Sequence, residues 1–402
     1  MDVYDIGEAN RGGWQIPNVD YIARARALAP RLTVAGPRID TARELPADIQ
    51  TAMHEAGMFR LLLPKSLGGA ELDPLTYIQC VEAIASGDGS AAWCMNQGSG
   101  CSMAAAYLEP DAAAQVFADP LAVLAWGQGP GARADRTDGG WIVTGKWLFA
   151  SGSRHATWLG GHALTYAADG TLCTHPDGRP WEATMLIRRE QAEITDTWHV
   201  LGLRGTGSDQ YAVKDFFVPD HLTLTRDLAT GRHHPGLLYR FTTGNIYASG
   251  FASVALGIAR GILDAFIALA LEKTPALTTV RLADSQVIQS QLAVAEAKLA
   301  SARLFLHATL RSACDTLTTR EILPLDQRAS LRLASTFAIH QARDVVDFAY
   351  HEAGATAIFE SNFFERRFRD MHSLCQQAQG RSTHFETIGQ HMFGLPVNLR
   401  WL

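Results

Sequence analysis

Gly140-Trp-Ile-Val-Thr-Gly-Lys-Trp-Leu-Phe-Ala-Ser-Gly-Ser-Arg-His-Ala-Thr-Trp158 is the stretch on which the reading of this chain turns. Trp141, Val143 and Gly145 alternate with Ile142, Thr144 and Lys146, the period of a half-buried strand. Asp138-Gly139-Gly140 just ahead of them suits a hairpin turn. The strand delivers Phe149-Ala150-Ser151-Gly152-Ser153 to its end. Small residues there let a backbone approach a flat ligand closely. Ser151 offers a hydroxyl that can donate to a ring nitrogen, and Phe149 offers a face to stack on. That chemistry suits an isoalloxazine, and a plain Gly/Ser-rich turn after an edge strand has the same composition.

Outward from this stretch, Leu121 to about Arg226 keeps a period of two. Ala122 to Trp126, Trp141 to Trp147, Thr157 to Tyr166, Thr184 to Ile187 and Tyr211 to Val218 are strand candidates between Gly, Pro and Asp turns. On the N-terminal side, Asn18 to about Asp119 is helical text: Tyr21, Ala25 and Leu28, then Leu45, Ile49 and Met53, recur at helical spacing, with Pro46 near a first turn. Asp73-Pro74 opens a helix to about Ala85, and Ser90 is the expected N-cap of a helix from Ala91 to about Tyr107. On the C-terminal side the spacing predicts four long helices, about Gly236 to Leu271, Ser285 to Cys314, Pro324 to Ala353 and Arg369 to His391, which suggest a bundle. The boundaries fall at 1–120, 121–230 and 231–402.

Composition narrows the function classes. The 402 residues are 47% hydrophobic and 19% charged, an ordinary globular balance. The 35 basic residues against 41 acidic give a net charge of -6, which disfavours nucleic acid and anionic membranes as partners. Six scattered cysteines form no CxxC pair, so neither a metal site nor a disulfide framework is expected. Met1 to Glu8 has no basic, apolar leader, and no stretch approaches about 18 consecutive apolar residues. A cytoplasmic location is expected. No strand-GxGxxG-helix context supports a nicotinamide site.

Several short motifs acquire meaning in series. Phe59-Arg60-Leu-Leu-Leu-Pro64 with Gly68-Gly69, Gly89-Ser-Ala-Ala-Trp93, the opening stretch, and Leu201-Gly-Leu-Arg-Gly-Thr-Gly-Ser-Asp209 leading to Phe217-Val-Pro219 follow one another as in the acyl-CoA dehydrogenase superfamily. Within it, Gly145 to Trp158, Val287 to Leu299 and Arg366-Arg-Phe-Arg-Asp-Met-His372 resemble the two-component flavin-dependent monooxygenases that hydroxylate aromatic compounds. The resemblance implies a mainly α fold with an inserted β domain: an N-terminal helical domain, a small central β-barrel-like domain and a C-terminal four-helix bundle. It also implies a homotetramer whose flavin site is shared between subunits.

What it implies for function is a monooxygenase acting through a flavin C4a-hydroperoxide on a small aromatic substrate and dioxygen, with reduced FMN or FAD delivered by a separate reductase. Ser151 then falls opposite flavin N5 and Phe149 beside the ring, with Trp126 packing on it. The Gly127-Gln-Gly-Pro-Gly131 loop carries backbone donors or is a plain turn. Gln377 stands where many relatives place a His, and lacking a titratable proton it can hydrogen-bond but not act as acid or base. His155 orders the site or assists a substrate proton, or is a structural histidine. Asn96 and Gln97 face the substrate or contact the β domain. Arg204 is expected to pair with Asp209 or backbone carbonyls near the flavin. Arg281 stands at the superfamily's adenine-binding segment but lacks its Phe and Gly, leaving FMN and FAD both open. Two other readings are a dehydrogenase using Glu360 or Glu365 as its base, and a scaffold that has lost the flavin.

Overall fold

A computed structural model describes residues 14, 19–225, 231–399 and 402. The leader reading over Met1 to Glu8, the Asn18 start of the helical text and the Arg226 end of the strand-rich text lie outside the described residues. Ahead of the sheet come α1 (Tyr21–Ala42), α2 (Ala47–Glu55), α3 (Pro74–Gly87), α4 (Gly89–Ser102) and α5 (Pro110–Phe117). Aspartates start three of them: Asp20 accepts from Ala23 N, Asp73 from Thr76 N with Pro74 in the first turn, and Asp88 from Ala91 N. Asp88, rather than Ser90, is therefore the cap of α4. The chain is extended at Asp88 (φ −157°), which aims its carboxylate at Ala91 N, 2.9 Å away, so the helix begins two residues earlier than predicted. It also ends earlier, at Ser102, and a 3-10 turn carries the chain on from Met103 to Tyr107.

The strands are β1 (Leu124–Trp126), β2 (Arg133–Thr137), β3 (Gly140–Ala150), β4 (Trp158–Tyr166), β5 (Glu182–Arg188), β6 (Glu193–Thr195), β7 (Asp209–Pro219) and β8 (Thr223–Leu224). Asp138-Gly139, with Gly139 at φ 70°, is the two-residue turn joining β2 to β3, as the sequence predicts. The order is β6-β7-β3-β2-β4-β5-β8, and β1 and β2 lie end to end along one edge of β4, both parallel to it. The sheet is open, not barrel-like: its edges are β6 and β8, three and two residues long, and they do not pair with each other. Trp147 anchors β3. Its indole is fully buried, stacks on Tyr211 at 5.1 Å and donates to the His162 carbonyl at 2.9 Å. A Cβ on Gly129, Gly145 or Gly161 would run into this ring. These three glycines are the slot in which it sits.

After the sheet, α6 (Thr243–Glu272), α7 (Gln286–Leu317) and α8 (Leu325–Ala353) are long, while α9 (Phe363–Cys375) and α10 (Thr383–Met392) are short. The four long predicted helices are thus three long and two short. Gln377 is extended (φ −73°, ψ 153°), and its side chain bonds Gln379 N instead of continuing the helix. Groups from α8 and α10 then clamp the break. Arg332 bonds Gln379 Oε1, His340 Nε2 lies 3.0 Å from the Gly380 carbonyl, and His384 Nε2 lies 2.7 Å from that of Ala378.

Among the described residues α6 is the one helix long and apolar enough to cross a membrane. It lies instead at the centre of the helical packing, against α3, α4, α8 and α9, which accounts for its apolarity. The Ala-rich face of α8, including Ala334, Ala338, Ala342 and Ala349, is also buried within the chain.

Candidate active site

A register shift between Trp147 and Ala150 interrupts the β3–β7 ladder just before its last pair, Ala150 with Asp209. Phe149 adopts φ 58° and Gly152 φ 81° across the turn, and Ser151 N–H donates to the Phe149 carbonyl. Ser151 is folded inward, the residue 6% exposed. Trp93 Nε1, from α4, donates to its hydroxyl at 2.9 Å, and Ser208 Oγ lies 2.7 Å away. Ser208 Oγ is 2.7 Å from Thr206 Oγ1, which donates to the Leu203 carbonyl at 2.8 Å. Three segments distant in sequence therefore meet through one chain of hydroxyls.

The loop that supplies two of these hydroxyls is held from behind. Leu203 sits at φ 53°, its N–H donates to Asp370 Oδ1 at 2.6 Å, and its carbonyl also accepts from Trp198 Nε1 at 3.0 Å. Gly202 lies so close to the Arg369 carbonyl that no Cβ fits. Burial, followed by the neighbouring charge of Asp88, pushes the Asp370 carboxyl up to about 7. The predicted Arg204–Asp209 pair is not formed. Asp209 pairs with Ala150 in the β3–β7 ladder, which sets it beside Arg154, and Arg154 Nε takes its carboxylate at 2.7 Å. The N–H groups of Thr197 and Trp198 take the same carboxylate. Arg204 Nε is left buried without a hydrogen-bond partner.

Aromatic side chains line the helical side. Trp93 packs on Phe251 at 4.2 Å, and Phe251 stacks on Tyr247 one turn earlier on α6. Gln97, one turn beyond Trp93, donates Nε2 to the Trp126 carbonyl at 3.3 Å, and the Trp126 ring tilts against His162. Gly127 is fixed by close approach, since a Cβ there would strike the Leu148 carbonyl.

The remaining predicted residues are spread wider. Phe149 is 59% exposed, its ring edge-on to Trp198 at 6.2 Å. Asn96 is turned away from the sheet, accepting from the Tyr77 hydroxyl at 2.7 Å and abutting Gly250 of α6, so of this pair only Gln97 reaches β1. His155 lies beside Phe59 with Nε2 buried and unpartnered. Burial first, then the charges of His54 and Arg189, hold it at about 4, so its imidazole is neutral at pH 7. Gln377 is tied to its own break in the helix. Arg281 is exposed and paired with Asp284 at 2.8 Å. Glu365 is held by Arg369 at 2.6 Å and Glu360 is exposed, so neither is poised as a base. His372 and His391 pair with Asp347 and Asp326.

Sequence reasoning missed Trp93, Thr206 and Ser208 as site residues. Their motifs are recognisable, but which hydroxyl meets which depends on the turn at Phe149. No group of three or more potential metal ligands occurs among the described residues.

The arrangement suits a flavin. Ser151 keeps one hydrogen-bonding position open, Arg204 retains a buried N–H without a partner, and Phe149 and Trp198 present rings beside the turn. A flat ring system bearing an N–H and a polar edge answers to that set. Two sequence families match the chain: "Acyl-CoA dehydrogenase, N-terminal domain" over residues 24–114 and "Acyl-CoA dehydrogenase, C-terminal domain" over residues 249–380. The chain is 30% identical to the indole-3-acetate monooxygenase of Pseudomonas putida, covering 88% of this chain and 89% of that one. It is 29% identical to the flavin-dependent monooxygenase oxygenase subunit HsaA of Rhodococcus jostii, covering 93% and 98%. XiaF from Streptomyces sp., solved with FADH2 and glycerol, superposes with a TM-score of 0.86 at 25% identity, covering 95% of this chain and 97% of that one.

Proposed function

The chain belongs to the acyl-CoA dehydrogenase family, and on that premise we propose that it is the oxygenase component of a two-component system, a reduced-flavin-dependent monooxygenase that hydroxylates a small aromatic or heteroaromatic substrate. A separate reductase supplies the reduced FMN or FAD. The observation that carries this reading is the Ser151 hydroxyl, fixed at the end of β3 between Trp93 and Ser208 with one hydrogen-bonding position to spare. Bound reduced flavin supplies the electrons that activate dioxygen, one oxygen atom going to the substrate and the other leaving as water.

The chain's own residues hold and enclose. Ser151 accepts from the flavin N5–H, Phe149 and Trp126 flank the ring, and Arg204 faces its polar edge. Trp93, Phe251 and Tyr247 keep water out and shape the space for an aromatic substrate. His155, neutral at working pH, and Gln377 contribute hydrogen bonds rather than proton transfer. Where FAD is the flavin bound, Arg281 serves its adenine half in a neighbouring subunit of a cytoplasmic homotetramer, and the chain divides into domains at 1–120, 121–230 and 231–402.

The test is anaerobic titration of the purified protein with reduced FMN and reduced FAD, followed by aerobic turnover of indoles and phenols with and without an added NADH-dependent flavin reductase. Saturable binding of reduced flavin and hydroxylation only when the reductase is present are expected. Failure to bind either flavin, or coupled NADH oxidation by the protein alone, would remove the reading.

A further inference from the structure

The hydroxyl chain at Ser151 has a direction. Indole Nε1–H of Trp93 can only donate and the carbonyl of Leu203 can only accept, and between them stand three hydroxyls, each with one proton. Thr206 spends its proton on the Leu203 carbonyl. The 2.7 Å contact between Thr206 and Ser208 then takes its proton from Ser208, and the 2.7 Å contact between Ser208 and Ser151 takes its proton from Ser151. Ser151 has none left. It accepts from Trp93, and its remaining lone pair can only accept.

We infer that Ser208 and Thr206 are positioning residues which, by fixing the Ser151 hydroxyl as an acceptor, make the site select reduced over oxidised flavin. This rests on the flavin reading above. Reduction places a hydrogen on flavin N5, so the reduced ring meets the open lone pair as a donor. The oxidised ring presents N5 as an acceptor. To meet it, Ser151 must turn its proton outward, and one hydroxyl contact of the buried chain is lost whichever way the others turn, because Leu203 cannot donate. All three hydroxyl groups belong to buried residues, so water does not replace the lost bond. Losing one neutral hydrogen bond corresponds to a roughly two- to tenfold bias toward the reduced form.

Removing the fixed end of the chain should remove the bias. In Ser208→Ala the Ser151 proton has no protein acceptor and is free to serve oxidised N5. In Thr206→Val, a near-isosteric change, Ser208 can donate back to Ser151, which again frees that proton. The experiment measures dissociation constants of the parent and both variants for oxidised and for anaerobically reduced FMN and FAD, together with the midpoint potential of the bound flavin. Both variants are expected to bind oxidised flavin roughly two- to tenfold tighter while reduced-flavin affinity holds. A tenfold change in that ratio lowers the two-electron midpoint potential by about 30 mV.

Equal weakening of both forms, as a merely structural role would give, overturns the inference. So does an unchanged ratio in either variant if it folds with the parent's circular dichroism spectrum. Ser151→Ala separates the two claims: if it weakens reduced-flavin binding while Ser208→Ala leaves the ratio unmoved, the flavin reading stands and the positioning role falls. A parent that binds no flavin removes both.

Discussion

Ser151 is a single neutral hydroxyl, so its removal should be felt in proportion to one hydrogen bond. In Ser151→Ala the lost contact is worth about 0.5–1.5 kcal/mol, or roughly two- to tenfold. Reduced-flavin affinity should fall by no more than that factor. The share of NADH electrons recovered as hydrogen peroxide should rise, because the ring is less firmly held while oxygen reacts; peroxide assay beside product analysis measures it. His155 makes the second residue-scale prediction. Its folded value of about 4 lies below the ordinary 6.5 because burial and the His54 and Arg189 charges oppose protonation. A depressed value contributes stability that is present above pH 6.5 and lost as the pH falls through 4. That loss amounts to about 3 kcal/mol between pH 7 and pH 4. Urea midpoints at pH 7, 5 and 4 should show this component in the parent and lack it in His155→Gln.

At the scale of elements, β3 owes its position to the Trp147 slot, and the slot's walls are glycines. Gly161→Ala places a methyl 2.6 Å from the indole, overpacking worth typically about 1–3 kcal/mol. A lowered melting temperature is expected together with weakened reduced-flavin binding, since Trp147 belongs to β3 and Ser151 follows directly at the end of that strand; full affinity in a destabilised Gly161→Ala would separate the strand from the site. The hairpin at Asp138-Gly139 and the alternation in β3 were legible because both are local signals. Arg133–Thr137 was not: with two arginines and an aspartate it has no apolar alternation, and it is a strand because β3 and β4 flank it. The interruption after Cys375 was hidden for a related reason. Gln376-Gln-Ala-Gln carries no helix breaker of its own, and side chains from α8 and α10 hold it open. Likewise Asp209 sits five residues from Arg204, but its ladder partner Ala150 brings Arg154 to it.

For the whole molecule, the order of helices, sheet and helices was legible from periodicity, while the open sheet and the destination of the Ala-rich face of α8 depend on packing no local pattern encodes. That face is used inside the chain. The outer face of α7 instead exposes Val287 and Val294, seven residues apart, with Phe305 further along. An association of four chains through such helices is expected, and light scattering at micromolar concentration should give four chains per particle. Val294→Glu should lower that number while the chain stays folded.

The most direct measurement of the central claim is a single turnover with labelled oxygen. The protein is loaded anaerobically with stoichiometric reduced flavin and a panel of indoles and phenols, then mixed with 18O2, and the product is weighed by mass spectrometry. A hydroxylated aromatic carrying one 18O atom, with the second atom in water, is the expected result. A product that gains no oxygen, as a dehydrogenase would give, or whose added oxygen is unlabelled because it comes from the solvent water, would contradict it.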